Sequence, residues 1–206
     1  MDLSSQSVFH TIRYDFPNIE WFGEEGGRGL RGIALDGDTL YIAAGNRLLA
    51  YDTRFKPKGS WHNASLANCQ GISIHPRELF IACSGNDCIL AFDLDKQKFH
   101  GAMHIRAQQF QFRPVAFDPA GDEGPVAVNK LHVRSVRCSE GGLYISGMNT
   151  GGLLHFKGSK IQMLAETPKG SQDAQVFRYG VVLNDSRAGV LRYSGDDDGK
   201  EDRALA

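Results

Sequence analysis

Residues 32–46 read GIALDGDTLYIAAGN, and residues 48–52 read LLAYD. Short apolar runs alternate here with Asp-Gly and Gly-Asn, pairs that favour tight turns. The stretch therefore predicts three antiparallel strands joined by short connections. The same pattern returns at 71–86 as GISIHPRELFIACSGN, which is followed at 89–93 by ILAFD.

Two further copies follow. Residues 135–149 read SVRCSEGGLYISGMN with LLHF at 153–156, and a weaker copy reads AQVFRYGVVLND at 174–185 with VLRY at 190–193. Leu40 and Leu79 are 39 residues apart, and Leu143 and Val181 are 38 apart. A less apolar fourth strand is expected after the third in the first two copies. Four antiparallel strands in about 39 residues are typical of a β-propeller blade.

We therefore predict an all-β fold, a single β-propeller domain over residues 1–206 with about four four-stranded blades. The blades are expected at about 29–65, 68–106, 132–168 and 171–195. An inserted loop is expected at about 107–130, and residues 196–206 form a charged tail with no strand signal.

Four blades of this size do not normally close a ring, so we expect an incomplete ring with apolar blade faces at both ends. Three arrangements would cover these faces. The chain could be part of a longer protein, or a homodimer or partner protein could form through the exposed blade edges. Alternatively, the N-terminal segment around 8–16 and 21–22 could cover an edge.

Composition excludes several classes of function. The chain has 23 Lys and Arg against 24 Asp and Glu, a net charge of −1, which gives no electrostatic case for binding nucleic acid or a membrane surface. No apolar run approaches the roughly 18 residues of a membrane span. Residues 1–15 are polar and lack the apolar core of a signal peptide. We expect a cytoplasmic protein with no nucleic-acid or membrane partner.

The cysteines predict neither a disulfide framework nor a metal site. Four cysteines occur without a CxxC pair, at positions 69, 83, 88 and 138. We interpret them as buried free thiols of a reducing compartment. No metal or cofactor is expected, since nucleotide-binding and catalytic-triad motifs are also missing from the sequence.

The repeats resemble the broad propeller superfamily that includes the YVTN, NHL and gluconolactonase-like proteins. Several stretches resemble more closely an uncharacterised, conserved-hypothetical family of bacterial propellers. They are Cys69–Ile72, Ile89–Asp95, Phe117–Pro119, Leu131–His132, Gly142–Gly147 and Val182–Asp185. The resemblance implies a propeller fold and brings no established activity.

A ring of polar residues is the candidate site. One residue before each aligned first-strand position lies a polar side chain: Arg31, Gln70, Arg134 and Asp173. By analogy with other propellers, first strands line a central channel. Two arginines there could bind a carboxylate or phosphate bidentately, with His132 and Asn68 slightly further out. Alternatively, these polar groups satisfy one another and bound water.

The predicted insertion carries a candidate lid. Phe110, Phe112, Arg113 and Phe117 could close over the channel mouth, or they could cover a blade edge.

These observations favour a non-enzymatic scaffold that binds a partner protein or a small anionic ligand at the channel mouth. The alternative is a metal-dependent enzyme of the lactonase or lyase type with its site in the central channel. The equivalent positions offer Arg, Gln, Arg and Asp, which make a poor metal cage. A third interpretation is an inactive or regulatory fragment.

Overall fold

The computed structural model describes residues 30–108, 111–121, 124–126 and 128–195, together with the backbone of 203–205. These residues form seventeen strands in four antiparallel sheets, and no helix occurs among them. Within the described part of the chain, no helix is long and apolar enough to cross a membrane.

The first sheet, blade 1, is a four-stranded meander in which each strand pairs with the next along the chain. Its turns use Gly37 and Gly45, both with positive φ, the conformation that tight hairpins need and glycine adopts without cost. The strands are β1 (Leu30–Asp36), β2 (Thr39–Ala44), β3 (Arg47–Asp52) and β4 (Pro57–His62).

The second sheet, blade 2, has five strands rather than the four predicted. They are β5 (Cys69–Ile74), β6 (Glu78–Cys83), β7 (Cys88–Asp93), β8 (Lys98–Gln108) and β9 (Gln111–Phe117), in that spatial order. The prediction of an inserted loop over about 107–130 is therefore wrong for its first part. Residues 111–117 pair with β8 as an outer edge strand, where Pro114 is tolerated because the edge requires no donor on its open side.

The third sheet, blade 3, consists of β10 (Val133–Ser139), β11 (Gly142–Gly147), β12 (Gly152–Lys157) and β13 (Lys160–Glu166). The fourth, blade 4, consists of β14 (Ser171–Phe177), β15 (Gly180–Asp185), β16 (Val190–Gly195) and β17 (Arg203–Leu205). The short β17 pairs with β16, so the prediction that the charged tail lacks a strand is wrong for residues 203–205.

Neighbouring blades pack face to face through apolar side chains. Between blades 1 and 2, Phe92 is fully buried and makes edge-on ring contacts with Trp61 of blade 1 and Phe99 of its own blade. Cys69, Cys83 and Cys88 are buried in the same core as direct cross-strand neighbours. All four cysteines are free thiols, and Cys138 is only partly buried.

The innermost strands hold the blades in sequence. Strand β5 packs against both β1 and β10, and β10 in turn packs against β14. Among the described residues, the extensive contacts of blade 1 are with blade 2, and those of blade 4 are with blade 3. The four sheets therefore form an open arc of blades.

Candidate binding site on the innermost strands

The four polar residues predicted to line a channel all lie on the innermost strand of their blade, inside an irregularity of strand pairing. The register shifts between Leu30 and Ile33, Cys69 and Ile72, Val133 and Ser135, and Gln172 and Gln175. A bulge of this kind bends a strand and redirects side chains, and bulges are common beside functional sites. Arg31, Gln70, Arg134 and Asp173 occupy these four bulges.

The bulges of neighbouring blades lie directly against one another. A Cβ atom added at Gly71 would lie 2.8 Å from the carbonyl oxygen of Arg134, and one added at Gly32 would collide with the carbonyl oxygen of Gln70. The backbone N–H of Ala174 donates to Ser146 Oγ of blade 3 at 3.2 Å. The glycines that precede the repeated apolar strands are therefore needed for close approach between blades.

Arg134 is the most distinctive member of the group. Its Nη1 donates to Gln172 Oε1 at 2.7 Å, while its Nε is buried and has no hydrogen-bond partner. Burial lowers the pKa of the Arg134 guanidinium, and nearby Arg31 lowers it further, whereas Asp173 opposes the shift. A buried donor without a partner, beside a second cation, is an arrangement that an anionic acceptor would complete.

Gln70 and Asn68 are already engaged within blade 2. Gln70 Nε2 donates to Asn68 Oδ1 at 2.9 Å, and Asn68 Nδ2 donates to Ser84 Oγ at 2.7 Å. Gln70 is buried, and Asn68 has a positive φ of 53° at the start of the innermost strand. This local network fits the interpretation in which polar groups satisfy one another, so the two amides position the strand beside Arg134.

His132 lies beside a buried carboxylate that the sequence did not single out. Burial lowers the pKa of His132, Arg134 lowers it further, and Asp87 opposes the shift. Asp87 is buried in the turn between β6 and β7 and accepts backbone N–H groups of Lys130, Leu131 and Val133, at 2.7, 2.8 and 3.3 Å. Asp87 thus fixes the start of β10, the strand that carries Arg134.

The predicted lid does not lie at the channel. Phe112, Arg113 and Phe117 belong to β9, the outer edge of a sheet whose innermost strand is β5. Three strands separate them from the candidate site because residues 111–117 extend the sheet outward from β8. Phe110 lies outside the described residues. The lid prediction is therefore wrong for the three residues that the structure describes.

Two cavities also lie toward the outer strands. One of about 540 Å³ is lined by residues that include His104, Arg106, Phe117 and Asp118. Another of about 440 Å³ is mainly apolar and lies between blades 2 and 3, with Phe80, Met103 and Phe156 in its walls. No motif in the sequence marks either cavity: the first is walled by β8, β9 and the residues that follow β9, and the second forms where blade 2 meets blade 3.

In the described part of the chain, no group of three or more His, Cys, Asp or Glu residues is arranged to hold a metal ion.

The sequence matches no protein-family model and no curated protein. Its fold is similar to that of several solved structures. The computationally designed Ika4 protein superposes with a TM-score of 0.53 at 7% identity, covering 88% of this chain and 99% of that one. Virginiamycin B lyase from Staphylococcus aureus gives a TM-score of 0.55 at 10% identity, covering 87% of this chain and 70% of the lyase.

A streptogramin B lyase gives a TM-score of 0.54 at 9% identity, with 86% of this chain and 68% of the lyase covered. At these identities the likeness shows the fold alone. Together with the four antiparallel sheets, it confirms the predicted class, an all-β protein with the architecture of an incomplete propeller.

Proposed function

We propose that the protein is a non-enzymatic propeller scaffold that binds a small anionic ligand at the mouth of its channel. The observation that carries this proposal is Arg134, whose buried Nε has no hydrogen-bond partner. An unsatisfied buried donor costs stability, and a carboxylate or phosphate oxygen would remove that cost.

The surroundings of Arg134 favour a ligand with few acceptor atoms. Gln172 already accepts from Nη1, which leaves Nε and the remaining guanidinium donors for the ligand. Arg31 is close enough to lower the pKa of Arg134, so an anion between them would relieve the repulsion of two cations. The carboxylate of Asp173 reduces the positive charge around Arg134, and it therefore disfavours the binding of large polyanions.

The proposal is tested by titrating the full chain with inorganic phosphate and with succinate in a calorimeter. We expect saturable binding of at least one of them, and at least a tenfold loss of affinity in Arg134→Gln. Arg137→Gln is the matched control, since Arg137 is an exposed arginine on the same strand, β10. Equal affinity in the two variants, or no binding by the wild type, would count against the proposal.

A metal-dependent lyase or lactonase is the second candidate, favoured by the fold shared with two lyases. The enzyme would need a bound metal ion, whereas the scaffold would need only the arginine side chains of the site. Stoichiometric calcium or zinc in the purified protein, measured by elemental mass spectrometry, would support the enzyme. Anion binding that persists in the presence of a chelator and depends on Arg134 would support the scaffold.

A further inference from the structure

The fourth strands of blades 1 and 2 carry equivalent glycines with different surroundings. Gly59 pairs with Ala50 in blade 1, and Gly101 pairs with Ala91 in blade 2. A Cβ atom added at Gly59 would collide with Cη2 of Trp61, so the indole ring covers this glycine. A Cβ atom added at Gly101 would meet nothing nearer than the Cβ of Ala91, at 4.0 Å. The space over Gly101 is therefore open where the space over Gly59 is filled.

The residue that could cover the glycine differs between the two blades. Trp61 lies opposite Leu48 in blade 1, and Met103 lies opposite Ile89 at the same place in blade 2. Trp61 fills the junction of blades 1 and 2, where its ring centroid lies 5.0 Å from that of Phe92. The junction of blades 2 and 3 thus has a thin, unbranched methionine where the preceding junction has an indole ring.

A cavity of about 440 Å³ lies at this place between blades 2 and 3. Its walls include two small residues and two aromatic rings beside Met103, namely Ala91, Gly101, Phe80 and Phe156. Phe80 and Phe156 are half-buried. Tyr41 and Phe92, their counterparts by strand pairing in the preceding junction, are 5% and 0% exposed. The volume is within the roughly 300–1,000 Å³ of small-molecule sites, and a flat apolar guest would gain contact with both rings.

The lining of the cavity contains one ionisable pair. His100 Nε2 and Glu78 Oε1 are 2.7 Å apart, and these two are the only ionisable side chains among the described residues that line the cavity. The equivalent pair in blade 1 is Lys58, which donates through Nζ to Thr39 Oγ1. Blade 2 thus has a carboxylate where blade 1 has a hydroxyl, and a carboxylate accepts strong hydrogen bonds from ammonium groups.

We propose that this cavity binds a flat aromatic molecule of about the size of an indole, which carries an amine that bonds to Glu78. The ring takes the place that the Trp61 indole takes in the preceding junction, between Phe156 and the small residue Gly101. The apolar walls favour the ring, and the carboxylate selects the amine. The inference is independent of anion binding at Arg134, which does not line this cavity.

The test compares tryptamine, an indole with an ammonium side chain, with indolepropionate, in which a carboxylate replaces the ammonium. Calorimetry with the full chain should show saturable binding of tryptamine, tighter than that of indolepropionate by roughly tenfold, the effect of one charge-assisted hydrogen bond. Glu78→Gln should remove this preference while the indole ring still binds. No binding of tryptamine by the wild type would overturn the proposal, and equal affinities for the two compounds would overturn the role of Glu78.

Filling the cavity provides a second test. Met103→Trp reproduces in blade 2 the arrangement of Trp61 over Gly59, and Gly101→Val places a branched side chain in the open space, so each should abolish binding. Leu164→Trp is the matched control, because Leu164 is exposed on β13 and does not line the cavity. Urea unfolding shows which variants are folded. Undiminished binding by either folded variant that fills the cavity would count against the proposal.

The location is also measurable in the wild-type chain, by NMR of methionine methyl groups labelled with carbon-13. The ring current of bound tryptamine should shift the Met103 methyl resonance, which is assigned from its loss in Met103→Leu. Succinate should leave this resonance unmoved, because it is a probe of the separate site at Arg134. A Met103 resonance that stays in place at saturating tryptamine would place the compound elsewhere and overturn the proposal.

Discussion

Gly71 of blade 2 packs against the backbone of Arg134 of blade 3, so closely that a methyl group on Gly71 would lie 2.8 Å from the Arg134 carbonyl oxygen. The same methyl group would lie 3.2 Å from the Cα of Ser135. Both obstacles are backbone atoms of a paired strand, which cannot move aside as a flexible side chain can. The contact joins two innermost strands at the position where the candidate site is built.

Substitution of Gly71 should therefore destabilise the protein out of proportion to the size of the change. We expect Gly71→Ala to cost about 1–3 kcal/mol, the range seen when a packed interior is overfilled. Gly101→Ala is the control, because its added Cβ would meet nothing nearer than 4.0 Å. Urea unfolding of both variants measures the difference, and equal midpoints would show that the two blades separate easily at this contact.

Removing either arginine should weaken binding of anions while the fold persists. Arg31→Ala and Arg134→Ala are each expected to lose most of the affinity for phosphate or succinate, because each removes a cation from the site. Arg134→Ala also removes the buried Nε without a partner, so its unfolding midpoint should change little. Calorimetry measures the affinity of each variant for the anion, and thermal unfolding measures its unfolding midpoint. If both variants unfold, the arginines are structural and the site proposal fails.

Two histidines should make stability fall as the solution becomes acidic. Burial lowers the pKa values of His104 and His132, and the neighbouring Arg106 and Arg134 lower them further against the opposing effect of Asp87. His104 Nδ1 is also buried without a hydrogen-bond partner. The unfolded chain therefore takes up protons below pH 6.5 that the folded chain resists, so this stability is present above pH 6.5 and is lost as the pH falls.

Unfolding by urea between pH 5 and pH 7.5 measures this slope. We expect His104→Gln and His132→Gln each to reduce the dependence of stability on pH. His62→Gln, at an exposed position on β4, is the control and should leave that dependence unchanged. A slope unchanged in both buried-histidine variants would contradict the assignment of the acid sensitivity to these groups.

Asp87 should contribute far more to the stability of the fold than its position in a hairpin turn suggests. Its carboxylate is buried and accepts three backbone N–H groups at the start of blade 3, so Asp87→Ala leaves those donors unpaired. We expect a loss of about 2–4 kcal/mol on substitution by Ala. Asp87→Asn should cost less, because its amide oxygen still accepts and Asn tolerates the positive φ of 48°. Equal losses would mean that the charge, rather than the acceptor geometry, is needed.

The repeat pattern was sufficient to predict the propeller arc. Each copy carries its own turn residues and apolar strands, and hairpin pairing is determined by these local signals. The agreement between the repeat pattern and the strand pairing breaks down in the fourth copy. Tyr51, Phe92 and Phe156 lie opposite Leu40, Leu79 and Leu143, but Tyr193 lies opposite Val182 rather than Val181. A shift of one residue moved this aromatic ring to the other face of its sheet.

The fifth strand could not be anticipated from the period, because β9 has no counterpart in the other copies. Its partner β8 runs beyond the length of the repeat, and the pairing of residues 107 and 108 with 112 and 111 depends on that extension. The lid hypothesis failed for the same reason.

The candidate site was predicted in part. The alignment located the four polar bulge residues, since these positions interrupt apolar strands in every copy. It did not indicate Asp87, because a carboxylate in a Ser-Gly-Asn-Asp turn looks like any exposed turn residue until blade 3 packs over it. The bonding of Gln70 to Asn68 within one blade likewise depends on rotamers that sequence spacing does not specify.

The most direct test of the proposed site is to observe the Arg134 Nε–H group itself by nitrogen-15 NMR, with its resonance assigned from its loss in Arg134→Lys. Titration with phosphate or succinate should shift that resonance saturably, with the affinity measured by calorimetry, and should slow its exchange with solvent. A resonance that stays unmoved while a ligand binds, or the failure of both anions to affect any arginine side chain, would contradict the account.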